Sequence, residues 1–467
     1  MRSASLLIVV LLAACDSPFR PPPPTTGGST GLAKTLTLRP DSAQLYVDDT
    51  LRLFVSVRDA HGQLLVTPVT WSVDDSQVVT VDSNGLAIAV DSGTTMVRAT
   101  SQGLQDSTTL RVASVAYQSV ASGGRHSCAI GINQRIYCWG SDDNGQLGVV
   151  PAVLERPAPT GIAAGAVFAF LAAGDAHTCA TGTDRLMRCW GNNDHGQLGL
   201  GSQGGTGLPT SVVAPFDFFE VAAGGNHTCA STINQTVVCW GSNASGELGL
   251  GDTVTTPTPT AVAGGLVFPG AVAAGDAHTC ATTANGTAYC WGRNDFGQLG
   301  DSQTIRQTLP DSVHGFGFDL LAAGGDHTCG VSSAVAWCWG ANDRGQSGTG
   351  LPDSAVLVPT LVAGSLNIET VTAGRAFTCG VTDTGDAYCW GANDRGQLGD
   401  STRTDRSQPT LVKGGLHFQS LAAGDQHVCG VTVDGLIYCW GDGTSGQLGV
   451  SPPQSMSAFP IRIPLPN

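Results

Sequence analysis

Fourteen of the fifteen cysteines in this chain of 467 residues fall into seven pairs at one recurring setting. The pairs are Cys128 with Cys138, Cys179 with Cys189, Cys229 with Cys239, Cys280 with Cys290, Cys329 with Cys338, Cys379 with Cys389, and Cys429 with Cys439. Each pair flanks a short turn, so on an antiparallel hairpin the two thiols face one another on one side of the sheet, within bridging range. Two chemistries suit such thiols: oxidation to a disulfide, or metal binding as thiolates. Two cysteines per unit without two further ligands close by do not make a zinc site, and none of the fourteen is left unmatched. Seven disulfides are therefore expected. The fifth pair is one residue closer in sequence, and Ser332-Ser333-Ala334 marks the tighter turn that would absorb the difference.

Histidine recurs just as regularly, as His126, His177, His227, His278, His327 and His427, with Phe377 at the equivalent place in the sixth unit. One imidazole per unit, at whole-unit separations, points to a structural hydrogen bond with the backbone of a neighbouring turn rather than to acid-base or metal chemistry. A Trp-Gly pair after each second cysteine reads as core, with the indole packed between units and the glycine admitting close backbone approach. The segment Asn-Asp-x-Gly-Gln-Leu-Gly that follows is a turn. Its frame repeats while the residue before Gly-Gln or Gly-Glu changes: Asn144, His195, Ser245, Phe296, Arg344, Arg395 and Ser445. A variable residue on a repeated frame is a candidate binding face, expected here as a ring around a central axis, against the alternative of solvated loop tips without a partner. No isolated nucleophile with its base, unrepeated carboxylate pair, phosphate-cradling loop or zinc signature stands apart from the repeat, so neither an enzyme nor a cofactor is expected.

These residues are positioned by short strands. The tryptophans Trp139, Trp190, Trp240, Trp291, Trp339, Trp390 and Trp440 are 48 to 51 residues apart, and each unit holds four strand-like stretches. In the second unit these are 168–172, 178–181, 186–190 and 209–213. Seven such units over residues 114–467 predict an all-β, seven-bladed β-propeller. It is left open whether each blade is contiguous or a strand is exchanged at the seam. Residues 34–113 alternate apolar and polar residues between turn signals and predict a β-sandwich. Residues 16–33, through Pro21 to Pro24, form a Pro/Gly/Ser/Thr tether. Residues 1–15, with Arg2, the apolar run Leu6 to Leu12 and then Ala13-Ala14-Cys15, read as an export signal too short to span a membrane. Export to an oxidising compartment favours the disulfide reading. A net charge of −15 with only two lysines, Lys34 and Lys413, supplies no footprint for nucleic acid.

Three resemblances follow from these motifs. Ala172-Ala-Gly-Asp-Ala-His-Thr-Cys179 with Cys189-Trp-Gly-Asn-Asn-Asp-His-Gly-Gln-Leu-Gly199, repeated in every unit, resembles the regulator of chromosome condensation family, which implies the seven-bladed ring. The cysteine pair departs from that family's eukaryotic repeat. Val69-Thr-Trp71-Ser, Val79 to Gly85 and Ser107 to Val112 resemble the bacterial immunoglobulin-like domain of group 2, which implies Trp71 as its buried core tryptophan and a role as spacer or adhesive module. The ending at Cys15 resembles a lipobox, which implies lipidation of that cysteine and a lipid anchor in the bacterial cell envelope, with no other membrane contact. The expected function is a non-catalytic binding scaffold, monomeric, with a protein or glycan partner. Two alternatives come from resemblance. One is inhibition of an extracellular enzyme, as in secreted β-lactamase-inhibitory propellers, with Phe296, Arg344 and Arg395 beginning a patch. The other is guanine-nucleotide exchange, which export disfavours.

Overall fold

The computed structural model describes residues 32–46, 49–113, 116–149, 154–162, 166–315, 317–351 and 353–464. The expected export signal with Cys15, and nearly all of the expected tether, lie outside the described residues. Two compact units are present, a smaller one ending at Arg111 and a larger one made of Val112–Asn467 together with the segments Leu45–Asp49 and Ala89–Gly93. The described residues contain no α-helix.

In the smaller unit the alternating residues form antiparallel strands whose apolar side chains turn inward, with Leu38, Val57, Ala87, Val97 and Leu110 all buried. The long pair Gly93–Ser101 and Leu104–Ala113 is flanked by Thr70–Val73 and Ser42–Tyr46, and Thr35–Arg39 pairs with Phe54–Arg58 in a second sheet. Trp71 corrects the expectation of a fully buried core tryptophan, because it is only half-buried. Its ring lies over the Asn84-Gly85 turn, where a side chain on Gly85 would come within 2.6 Å of the indole. It covers the edge of the sandwich.

The larger unit consists of seven four-stranded antiparallel sheets, each contiguous in sequence. The first blade runs through Tyr117–Ser122, His126–Gly131, Ile136–Ser141 and Glu155–Gly161, and the last through Phe418–Ala423, His427–Thr432, Ile437–Asp442 and Met456–Arg462. Among the described residues no strand is exchanged at the seam. The first strands surround the axis, where small residues such as Ala173, Ala223 and Ala423 line a narrow cavity of about 90 Å³. Second strands such as His177–Gly182 are buried throughout, having a sheet neighbour on each side and a blade against each face. The fourth strand departs most from expectation. In blade two it spans Thr206–Ser211, not 209–213, and its pairing with the third strand shifts register between Cys189 and Gly191.

The core lies between blades. Cys128 and Cys138 of blade one share a buried cluster with Leu147 of the same blade and with Phe168 and Trp190 of blade two. The ring closes in the same manner, with Cys429, Cys439 and Leu448 of blade seven packed with Tyr117 and Trp139 of blade one.

Candidate functional site

Cys128 is the direct cross-strand partner of Cys138, and the same holds for the other pairs, with Cα atoms 4.1 Å apart in all seven disulfides. All fourteen sulfurs are fully buried under a neighbouring blade. In blade five the separation of nine residues is accommodated by Ser333 and Ala334, both at positive φ (52° and 62°), the geometry of a two-residue type I′ turn.

The histidines are fully buried, and their partners differ from expectation. Each Nε2 meets a hydroxyl of the next blade, not a backbone turn: His126 with Thr178 at 2.8 Å, His177 with Thr228 at 2.9 Å, and so on to His427 with Ser127 at 2.7 Å across the seam. The threonine hydroxyl donates its one proton to a backbone carbonyl of the preceding blade, Thr178 to Gln146 at 2.8 Å and Thr228 to Gln197 at 2.9 Å. At the five threonine junctions the imidazole must therefore be the donor, which fixes the neutral tautomer with the proton on Nε2. The same carbonyls accept the indole N–H of the next blade's tryptophan, Trp190 on Gln146 and Trp240 on Gln197, both at 2.9 Å. Burial pushes His126, His177, His278 and His427 down to about 3 and His327 to about 4, with neighbouring histidine charges adding to the effect at His126. These rings cement the junctions and have no access to a substrate.

The turn after Trp-Gly also resolves into backbone chemistry. The glutamine two residues beyond the variable position accepts its N–H through Oε1, at 2.9 Å for Asn144, His195, Phe296 and Arg344 and 2.8 Å for Arg395 and Ser445. In blade three Glu247 does the same for Ser245 at 2.7 Å. The main chain is thus held while the side chain is left to vary. Asn144, His195, Phe296 and Arg395 are exposed, and Ser245, Arg344 and Ser445 are half-buried.

These seven do not form the ring around the axis that the repeat suggested. Each turn is carried outward against the fourth strand of the next blade, so that a side chain on Gly196 would strike Pro257 at 2.6 Å and one on Gly246 would strike Thr308 at 2.8 Å. The axial mouth is lined instead by the residues after Ala-x-Gly: Gly124, Asp175, Gly225, Asp276, Gly325, Arg375 and Asp425. Sequence reasoning missed this set, although it varies on a repeated frame by the same criterion. Burial and then the charges of Asp425 and Asp276 push the Asp175 carboxyl up to about 7. It stands in a mouth walled by protein and faced by two like charges. Asp276 is raised by burial and by Asp425, and Asp425 by burial against the opposing pull of Arg375 and Arg125.

Axial and turn residues meet in a second cavity of about 310 Å³ spanning blades four to seven, where Phe296 and Arg344 stand with Arg375, Asp394 and Asp425. Arg395 does not line it but reaches towards Asp442, 3.7 Å away. Among the described residues, no group of three or more His, Cys, Asp or Glu side chains is arranged to hold a metal ion.

A ring of seven disulfide-stapled blades, with a constant interior and a variable loop face, defines a seven-bladed β-propeller. The chain belongs to the RCC1-like domain family, whose model matches residues 217–466, with regulator of chromosome condensation repeats matched at 117–146, 168–197 and 189–231. Residues 33–112 match the bacterial Ig-like domain of group 2. The E3 ubiquitin-protein ligase HERC2 of Homo sapiens is 32% identical over 330 residues, 69% of this chain but 6% of that protein. The ultraviolet-B receptor UVR8 of Arabidopsis thaliana is 32% identical over 295 residues, 62% of this chain and 56% of the receptor. The chain thus spans little more than half of the one relative and a small part of the other. Among solved structures, yeast RCC1 (Prp20) bound to Kap60 superposes with a TM-score of 0.64 at 23% identity, covering 71% of this chain and 83% of that one. Human WBSCR16 gives 0.64 at 21% identity, covering 71% and 95%. At such identities the likeness speaks for the fold.

Proposed function

We propose that the protein is an exported, lipid-anchored scaffold of the bacterial cell envelope that binds a partner protein on the loop face of its propeller and catalyses nothing itself. The observation that carries this reading is the division of labour in the turns. The side-chain amide oxygens of Gln298, Gln346 and Gln397 accept the backbone N–H groups of Phe296, Arg344 and Arg395 and hold the main chain in place, while the side chains of those three residues serve no interior contact that the other blades need. Cys15 and the apolar run before it support the anchor, and residues 16–33 and the Ig-like unit then act as spacer. UVR8 as a receptor and Prp20 as a partner of Kap60 suit a family whose propellers work by binding.

Capture from an envelope extract tests the proposal, with the mature chain and a variant carrying Phe296→Ala, Arg344→Ala and Arg395→Ala as baits. A protein recovered by the first and lost by the second is the expected result. Equal recovery on both baits would remove the loop face from the function. Enzyme inhibition is the second reading, supported by an exposed aromatic ring beside a guanidinium at the 310 Å³ cavity. It is separated by whether the captured protein is an enzyme that loses activity in the complex. Guanine-nucleotide exchange remains disfavoured, since a small GTPase would lie in the cytosol.

A further inference from the structure

We propose that the cavity between blades four and seven receives an arginine or lysine side chain presented on a loop of the partner protein, with Phe296 against its stem and Asp394 and Asp425 about its charged head. The proposal rests on the reading of the loop face as a protein-binding surface and adds the chemistry of the contact.

The argument begins with charge. Four carboxylates line the cavity, those of Asp326, Asp343, Asp394 and Asp425, against the two guanidiniums of Arg344 and Arg375. Arg344 offers no open anion site, since Asp405 holds it bidentately at 2.6 Å from Nε and 3.1 Å from Nη2. An incoming carboxylate would have to displace Asp405 there, and at the more exposed Arg375, whose Nη1 lies 3.8 Å from Asp425, it would meet that carboxylate. Asp326 for its part is paired with Arg293. Asp394 itself lies 3.5 Å from Arg344 and 4.0 Å from Arg395, and Arg395 is shared with Asp442 at 3.7 Å. Counting Asp405, Asp442, Arg293 and Arg395 with the lining residues gives six carboxylates to four guanidiniums, so the excess of two negative charges persists. Asp276, in the adjoining axial mouth, holds its proton more tightly than an ordinary carboxyl, first through burial and then through the charge of Asp425, with Arg375 and Arg293 opposing.

Shape and surface agree. Phe296 is 42% exposed on a turn that requires only its backbone, and the equivalent residues elsewhere are Asn, His, Ser and Arg. An aromatic face beside clustered carboxylates suits a side chain with an apolar stem and a cationic end, through stem packing and cation–π attraction. A neutral sugar would pack on the ring but leave the charge uncompensated. A protein loop supplies both parts.

The test uses the full chain at low ionic strength and three capped tripeptides, Gly-Arg-Gly, Gly-citrulline-Gly and Gly-Glu-Gly, followed by ligand-observed NMR. Citrulline keeps the shape of arginine without its charge. The arginine peptide should saturate, the citrulline peptide should bind at least about ten-fold more weakly, and the glutamate peptide should not compete. Phe296→Ala and Asp394→Asn should each weaken the arginine peptide about ten-fold, whereas His195→Ala, on the same face in blade two, should not. The proposal fails if glutamate or citrulline binds as well as arginine, if no peptide saturates, or if both cavity variants bind like the parent. Phe296→Ala alters an exposed ring, so a folding defect will not obscure its result. Failed peptides combined with envelope capture that still depends on Phe296 would reject the cationic occupant and keep the binding face.

Discussion

At six of the seven blade junctions an imidazole meets a hydroxyl, and at the remaining one Phe377 of blade six shares a buried cluster with Val428 of blade seven. The two departures from the repeat are one change. Without a hydroxyl at 428, a histidine at 377 would bury an N–H with no acceptor, and phenylalanine removes the need. The substitution Phe377→His is expected to destabilise the ring by about 2 kcal/mol, and adding Val428→Thr should recover most of that loss, as read by thermal unfolding under non-reducing conditions. Equal losses in the single and double variants would show that the two positions act independently. The regular spacing made the histidines recognisable as structural in the sequence. Their partners were not legible because they stand about fifty residues away, on another blade, and only the paired change at 377 and 428 carried a signal.

The strands were legible where their physics is local. Alternation, turn residues and the fifty-residue period located the blades, but the fourth strand was misplaced by a few residues. In blade two it is Thr-Gly-Leu-Pro-Thr-Ser, half-exposed at the sheet edge, and has no apolar alternation to mark its bounds. The hairpin of blade five gives a prediction at this scale. Left-handed backbone at both Ser333 and Ala334 is disfavoured for residues with a Cβ, and glycine relieves it. Ala334→Gly should therefore stabilise the protein by about 1 kcal/mol, seen as a higher unfolding temperature, and an unchanged or lower value would contradict the turn geometry. Gly224 lies at the other extreme. A side chain there would press on the carbonyl of Gly275 in the next blade and reach Cε1 of His227 at 2.6 Å. Gly224→Ala should cost about 3 kcal/mol or more by forcing two blades apart, whereas Gly264→Ala, in open space at positive φ, should cost only about 1 kcal/mol.

Over the whole ring these junctions act together, because blade seven meets blade one through the links used elsewhere: His427 to Ser127, Trp139 to the carbonyl of Gln447, and the backbone N–H of Asp425 to the carbonyl of Gly123. The closed circle also collects titratable groups of opposite behaviour. The buried histidines stay neutral far below their ordinary value of 6.5, while the unfolded chain takes up protons there. Their contribution is complete above pH 6.5 and is lost as pH falls towards 3. The axial carboxyls run the other way. Asp175 is raised from 3.8 to about 7, so the folded ring holds a proton that the unfolded chain releases, and this contribution is complete below pH 3.8 and lost as pH rises through 7. Six histidines against three aspartates predict a net loss of stability on acidification from pH 7 to 4. Asp175→Asn removes one opposing group without disturbing the junctions. The variant should unfold at a higher temperature than the parent at pH 8, and its advantage should shrink to nothing by pH 4, where the parent carboxyl is already protonated. A constant difference between the two melting curves across that range would mean that Asp175 does not feel the crowding of like charges at the axis. The cavity proposed for a cationic partner adjoins the same mouth, so this comparison also reports the sign of the field that such a partner would meet.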